Sequence, residues 1–119
     1  MNPPVPVPFH ISRAQAAATP LPPGRLSALL LRHGSMSLRW YAPPNPDPQS
    51  PHDQDEVYIV ASGSGRFLCG TETAAFGPGD ALFVPAGVVH RFLDCSADCA
   101  VWVVFYGPQG GELGGESAG

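Results

Sequence analysis

The sequence predicts an all-β antiparallel sandwich or barrel, such as a jelly roll, carrying one short N-terminal helix. Three observations lead there. Between Arg25 and Gly107 the chain falls into short segments that are either apolar or alternate apolar with polar residues. Turn signals separate them roughly every 8–10 residues, the spacing of an antiparallel sandwich or barrel. The length of 119 residues and the apolar fraction of 44% allow one domain with a small core.

The elements follow in chain order. Residues 1–24 read as a proline-rich segment, irregular at first, with Ser12 as the N-cap of a brief helix over Arg13 to Ala18 that "TPLPPG" ends. The barrel is expected over residues 25–107. "RLSALLLRHG" is an apolar strand closed by a His33-Gly34 turn. "SMSLRWY" alternates, with Met36, Leu38 and Trp40 on one face and Ser37, Arg39 and Tyr41 on the other. The first of these faces is expected to line the core or a cavity. "APPNPDPQSP" is a proline-rich connection. "EVYIVA", "RFLC" and "AAF" are strands joined by "SGSG" and "GTET" turns. "GPGD" fits a type II turn in which Gly79 supplies the positive φ. "ALFV" comes next, then "PAG", read as a turn with Pro85 second and Gly87 fourth. "VVHRFLD", the "CSAD" turn and "CAVWVVFYG" complete the set, and residues 108–119 read as a flexible glycine-rich tail.

Composition excludes several functions. The net charge is −4, lysine is absent, and the six basic residues are scattered arginines. No basic stripe is available to track nucleic acid. Schiff-base chemistry and a P-loop lysine are ruled out. "SGSGRF" leads into a strand, where a phosphate-cradling loop needs a helix. No run approaches the ~20 apolar residues of a membrane span. Three cysteines, Cys69, Cys95 and Cys99, and a start unlike a secretory signal predict free thiols in the cytoplasm.

The chemistry gathers around two histidines and a glutamate. On a straight strand His52 and Glu56 would stand roughly 13 Å apart. Ligands of one ion lie within roughly 4 Å of each other. A strand ending at His52, a turn at Asp53-Gln54-Asp55 and a new strand from Glu56 would bring them together. His90, after the Pro85-Gly87 turn, is the third candidate. Period-two alternation places Phe92 on its face, and Tyr58 and Val60 on the face of Glu56. His10 and His33 have no partner at useful spacing.

These residues resemble the cupin family, small jelly-roll barrels of the double-stranded β-helix type. Its first motif, G-x5-H-x-H-x3/4-E-x6-G, is matched by His52, Glu56 and Gly63. Its second, G-x5-P-x-G-x2-H-x3-N, is matched by Gly79, Pro85, Gly87 and His90, with Asp94 in the asparagine position. The resemblance covers roughly residues 35–106. It departs at Ser50, where the family has its first histidine, and at Pro44, where it has the opening glycine. It therefore implies a divalent metal ion (Fe, Zn, Mn, Ni or Co) held by His52, Glu56 and His90. Gln49, Gln54 or water would fill the remaining place. Ser50, Gln54, Tyr58, Phe92 and Trp40 are the expected substrate-cavity residues. The implied function is a metal-dependent enzyme of dioxygenase, isomerase or decarboxylase type acting on a small molecule. The alternatives are a non-catalytic binding module, or a structural role with a degenerate site. A homodimer is expected, formed along the aliphatic strand Leu26 to Leu31.

Overall fold

The computed structural model describes residues 7–113. Parts of the expected irregular start (1–6) and glycine-rich tail (114–119) lie outside the described residues. The helix α1, Arg13–Ala18, sits where its cap predicts: Ser12 Oγ accepts from Gln15 N and Gln15 Oε1 accepts from Ser12 N, a reciprocal capping box. No helix among the described residues is long and apolar enough to cross a membrane.

The strands are β1 (Ala28–His33), β2 (Met36–Tyr41), β3 (Asp55–Ser62), β4 (Gly65–Cys69), β5 (Glu72–Phe76), β6 (Ala81–Val84), β7 (His90–Leu93) and β8 (Ala100–Tyr106). They form a five-stranded sheet in the order β1-β2-β8-β3-β6 and a three-stranded sheet in the order β5-β4-β7. All pairings are antiparallel. This is a jelly-roll architecture, one of the antiparallel sandwich or barrel forms that the turn spacing predicts and the one that the family resemblance implies. β1 begins at Ala28 rather than Arg25, because Arg25 N is tied back to Pro22 O in a turn.

Two apolar clusters divide the work. The main core packs Tyr41, Tyr58, Phe67, Phe76, Phe92 and the valines Val60, Val84, Val101 and Val103 between the sheets. A smaller cluster outside the large sheet packs Ala16 of α1 on Trp40, Ala100 and Trp102. Trp40 meets Trp102 edge-on, with ring centroids 5.0 Å apart. The alternation along β2 is as read, but its inward face is Ser37, Arg39 and Tyr41. Trp40 therefore does not line a cavity. The helix covers the other face and gives Trp40 its apolar neighbours there.

Two turns show why the glycines matter. Gly63 has φ +83, and a Cβ there would come 2.5 Å from the Cys99 backbone, so only glycine fits. Gly79 has φ +87 in the Gly77–Asp80 turn, as a type II turn requires. The "PAG" turn differs from expectation. Val88 N donates to Pro85 O, so Pro85 is first and Gly87 third, the position that needs positive φ. Asp94 adopts φ 52, a left-handed conformation that Asp and Asn tolerate better than most residues.

Candidate metal centre

No strand ends at His52. The segment 42–54 is irregular and bends at Asp53-Gln54 before β3 starts. Its position is set by buried polar contacts. Asp47, 3% exposed, accepts from the Tyr41 hydroxyl, from Gln49 Nε2 at 2.7 Å and from Phe92 N at 3.0 Å. With its amide nitrogen on Asp47, Gln49 turns Oε1 inward, where it accepts from the Tyr58 hydroxyl at 3.0 Å. His52 Nε2 stands 3.2 Å from the same Oε1.

The second motif is fastened to this loop directly. Gly87 N donates to His52 O at 2.8 Å. The Asp55 carboxylate accepts from Ala86 N at 2.9 Å and from Glu112 N at 2.8 Å. These bonds hold its carboxyl below the usual range. The turn that launches β7 is thus clamped to the start of β3, and His90 is delivered beside Glu56.

His52, Glu56 and His90 each offer one ligand atom, all within 4.8 Å of one another, and so could hold a metal ion. Glu56 Oε1 lies 3.0 Å from His90 Nε2 and 3.9 Å from His52 Nε2. Glu56 and His90 are almost wholly buried, and His52 is one-third exposed. Glu56 and His90 thus meet at ion-pair distance, with a charge on His90 only when it is protonated. Both Glu56 oxygens and His90 Nε2 are buried and have no hydrogen-bond partner among the described residues. Burying a carboxylate in this state costs several kcal/mol unless a cation compensates. The donor set therefore fits a divalent ion. His90 Nδ1 lies 2.9 Å from Val88 O. A proton held there leaves the Nε2 lone pair free, as metal-binding imidazoles require.

The two imidazoles titrate differently. Burial depresses His52, and only part of this is returned by the charge of Glu56. Burial also acts to depress His90, but Glu56 and the Val88 carbonyl outweigh it and raise the net value. Behind the site, Tyr58, Phe67 and Phe92 pack ring to ring, with centroid separations of 4.8–5.6 Å. Burial, then the charge of Glu56, keeps the Tyr58 phenol protonated far above its ordinary range.

The other expected residues divide. Tyr58 and Phe92 are buried in the core behind the three ligand candidates, outside the cavity in front of His52. Gln54 spends its amide on Ser35 O and Gly107 O, both at 2.9 Å, at the wall of a cavity in front of His52. Ser50 is exposed. The glutamine brought to the ligand cluster is Gln49. Asp47 and Tyr41, which orient it, carry no sequence signal beyond lying in or beside a proline-rich connection.

Residues 40–106 match the cupin domain family. The chain belongs to the cupin family. An uncharacterised protein from Streptomyces coelicolor is 44% identical over 81 residues, covering 66% of this chain and 77% of that one. Among solved structures, a proposed mannose-6-phosphate isomerase from Ralstonia eutropha JMP134 is 28% identical. It superposes with a TM-score of 0.61, over 85% of this cupin and 100% of that chain. A cupin 2 conserved barrel protein from Salinispora arenicola shares the fold at 17% identity, with a TM-score of 0.62 over 84% of this chain and 90% of that one.

Proposed function

We propose that this cupin is a divalent-metal enzyme acting on a small organic molecule, of dioxygenase, isomerase or decarboxylase type. The observation that carries the reading is the buried trio of unpartnered atoms, Glu56 Oε1, Glu56 Oε2 and His90 Nε2, with His52 Nε2 beside them. His52, Glu56 and His90 would hold the ion, with Gln49 Oε1 available as a further oxygen. When bound, such an ion supplies Lewis-acid polarisation of a substrate oxygen.

The remaining work falls to the chain itself. Val88 O fixes the proton of His90 on Nδ1. The aromatic packing of Tyr58, Phe67 and Phe92 keeps water from the rear of the site. His52, backed by Phe105 with ring centroids 5.0 Å apart, forms the face that substrate meets. The likeness to the proposed Ralstonia isomerase adds support for sugar-sized substrates.

Metal analysis by plasma mass spectrometry tests the reading. The purified protein should carry close to one equivalent of Fe, Zn, Mn or Ni, and the His52→Ala, His90→Ala double variant almost none. Equal metal content in the two would overturn it.

A further inference from the structure

The wall in front of the candidate metal centre is cationic, although the chain as a whole has a net charge of −4. A cavity of about 590 Å³ opens there, lined by Arg25, Arg32, Arg39, Ser37, His52 and Phe105. That size suits a small-molecule ligand. Among the described residues, Asp53 is the one carboxylate in its wall. Among the described residues no arginine makes an ion pair with a carboxylate. Three of the six basic residues of the chain therefore face one concavity with little counter-charge.

The arrangement comes from strand register. Arg39 shares the inward face of β2 with Ser37 and Tyr41. Arg32 joins that face because the β1–β2 ladder slips by one residue between Leu29 and Leu31, so that Arg32 pairs with Ser37. Without the slip, alternation would place Arg32 with Leu30 on the opposite face. Ser37 pairs with Phe105, and Phe105 with Glu56. One cross-sheet row thus runs Arg32, Ser37, Phe105, Glu56, and connects the cationic wall to the ligand cluster. Three strand spacings, roughly 14 Å, separate its Arg32 and Glu56 ends. Arg39 holds its guanidinium carbon 6.0 Å from the Phe105 ring centre. Burial, followed by the charges of Arg32 and Arg25, pulls it below its ordinary value. An ordinary solvated face explains none of this. Such a face would not half-bury one guanidinium and set two more against it.

We propose that this cavity binds a small organic anion through a carboxylate or phosphate group, gripped by Arg32 and Arg39 with Arg25 at the rim. The rest of the ligand reaches past Phe105 toward His52. Guanidinium forks match both oxyanions, and such charge-assisted pairs are the strong ones. The proposal names the substrate class of the metal-enzyme reading and rests on that reading for the ligand's orientation. The anion grip itself does not depend on it.

The test is isothermal titration of oxalate, inorganic phosphate and neutral glycerol into metal-free and metal-loaded protein. The variants Arg32→Gln/Arg39→Gln and Arg39→Lys are measured beside the native chain, with metal content followed in each. One anion should bind and glycerol should not. The double variant should bind it at least about tenfold more weakly while keeping its metal. Arg39→Lys should fall between, because it keeps the charge and loses the fork. Whichever of oxalate and phosphate binds tighter identifies the source of the charge. Anion binding that is arginine-dependent but indifferent to metal would uphold this inference while counting against the metal reading. Neither anion binding in metal-loaded protein, or binding unchanged in the double variant, would overturn the inference and leave the metal reading standing.

Discussion

Two buried polar clusters lie next to each other in this barrel and differ in one respect. Around Asp47 the carboxylate is met by the Tyr41 hydroxyl, the Gln49 amide and the Phe92 N–H. Around Glu56 both oxygens, and the facing nitrogen of His90, have no hydrogen-bond partner. The two carboxylates are almost equally buried, at 3% and 1% exposure. Burial alone therefore does not separate a structural acid from a candidate ligand. Satisfaction does. A fully bonded group holds the loop in place, and an unbonded one is poised for something that is not protein. Gln49 joins the two clusters, with its nitrogen on Asp47 and its oxygen toward Tyr58 and His52.

The largest effect expected from this contrast is at Asp47. Asp47→Ala strands the Tyr41 hydroxyl, the Gln49 amide and the Phe92 N–H together, and should cost about 3 kcal/mol or more of folding stability. Urea denaturation of metal-free protein measures it. A loss below about 1 kcal/mol would break the comparison from the structural side.

Glu56→Gln should behave in the opposite way. It removes a buried carboxylate whose oxygens lack hydrogen-bond partners, so metal-free stability should move by no more than about 1 kcal/mol. Added Mn²⁺ or Zn²⁺ should raise the melting temperature of the native protein, by about 2.7 kcal/mol in stability at a hundredfold excess over Kd. The variant should show no such rise. If Glu56→Gln were as damaging as Asp47→Ala without metal, Glu56 would be a structural acid too.

The smallest effect concerns Cys99, a third buried polar group, which avoids charge altogether. Burial, then its contact with Cys95, pushes its thiol from 9.0 to about 12. A pKa raised by folding means that the neutral form is the one the fold favours. Its contribution is complete below pH 9 and is lost as pH climbs toward 12. Between pH 8 and pH 9.5 the native protein should lose about 1 kcal/mol that Cys99→Ala does not lose. Parallel urea curves at the two values would reveal it.

Much of the fold was legible because it depends on local rules. Turn residues with positive φ, such as Gly63 and Gly79, and short alternating segments signal strands and reversals whatever surrounds them. The capping box of α1 is local in the same sense. The positions of His52, Glu56 and His90 were legible through motif spacing. The strand end expected at His52 was not found, because segment 42–54 is held by buried side-chain bonds instead of a ladder. Ser50 drew attention by its place in the motif, yet it is exposed and Gln49 takes the inward position beside it.

The sequence by itself determined an all-β barrel, the order of its strands and turns, and the three residues able to share an ion. These rest on near-neighbour periodicity and on residues that only certain backbone conformations accept. The tertiary structure decided which face of each strand is inside. Alternation defines two faces for β2 but does not say that α1 will cover Trp40 and leave Tyr41 to the core. It also decided the Asp47–Gln49 network and the meeting of Arg25, Arg32 and Arg39. Those depend on a register slip in β1 and on strands far apart in the chain lying side by side. A period of two holds no information about either.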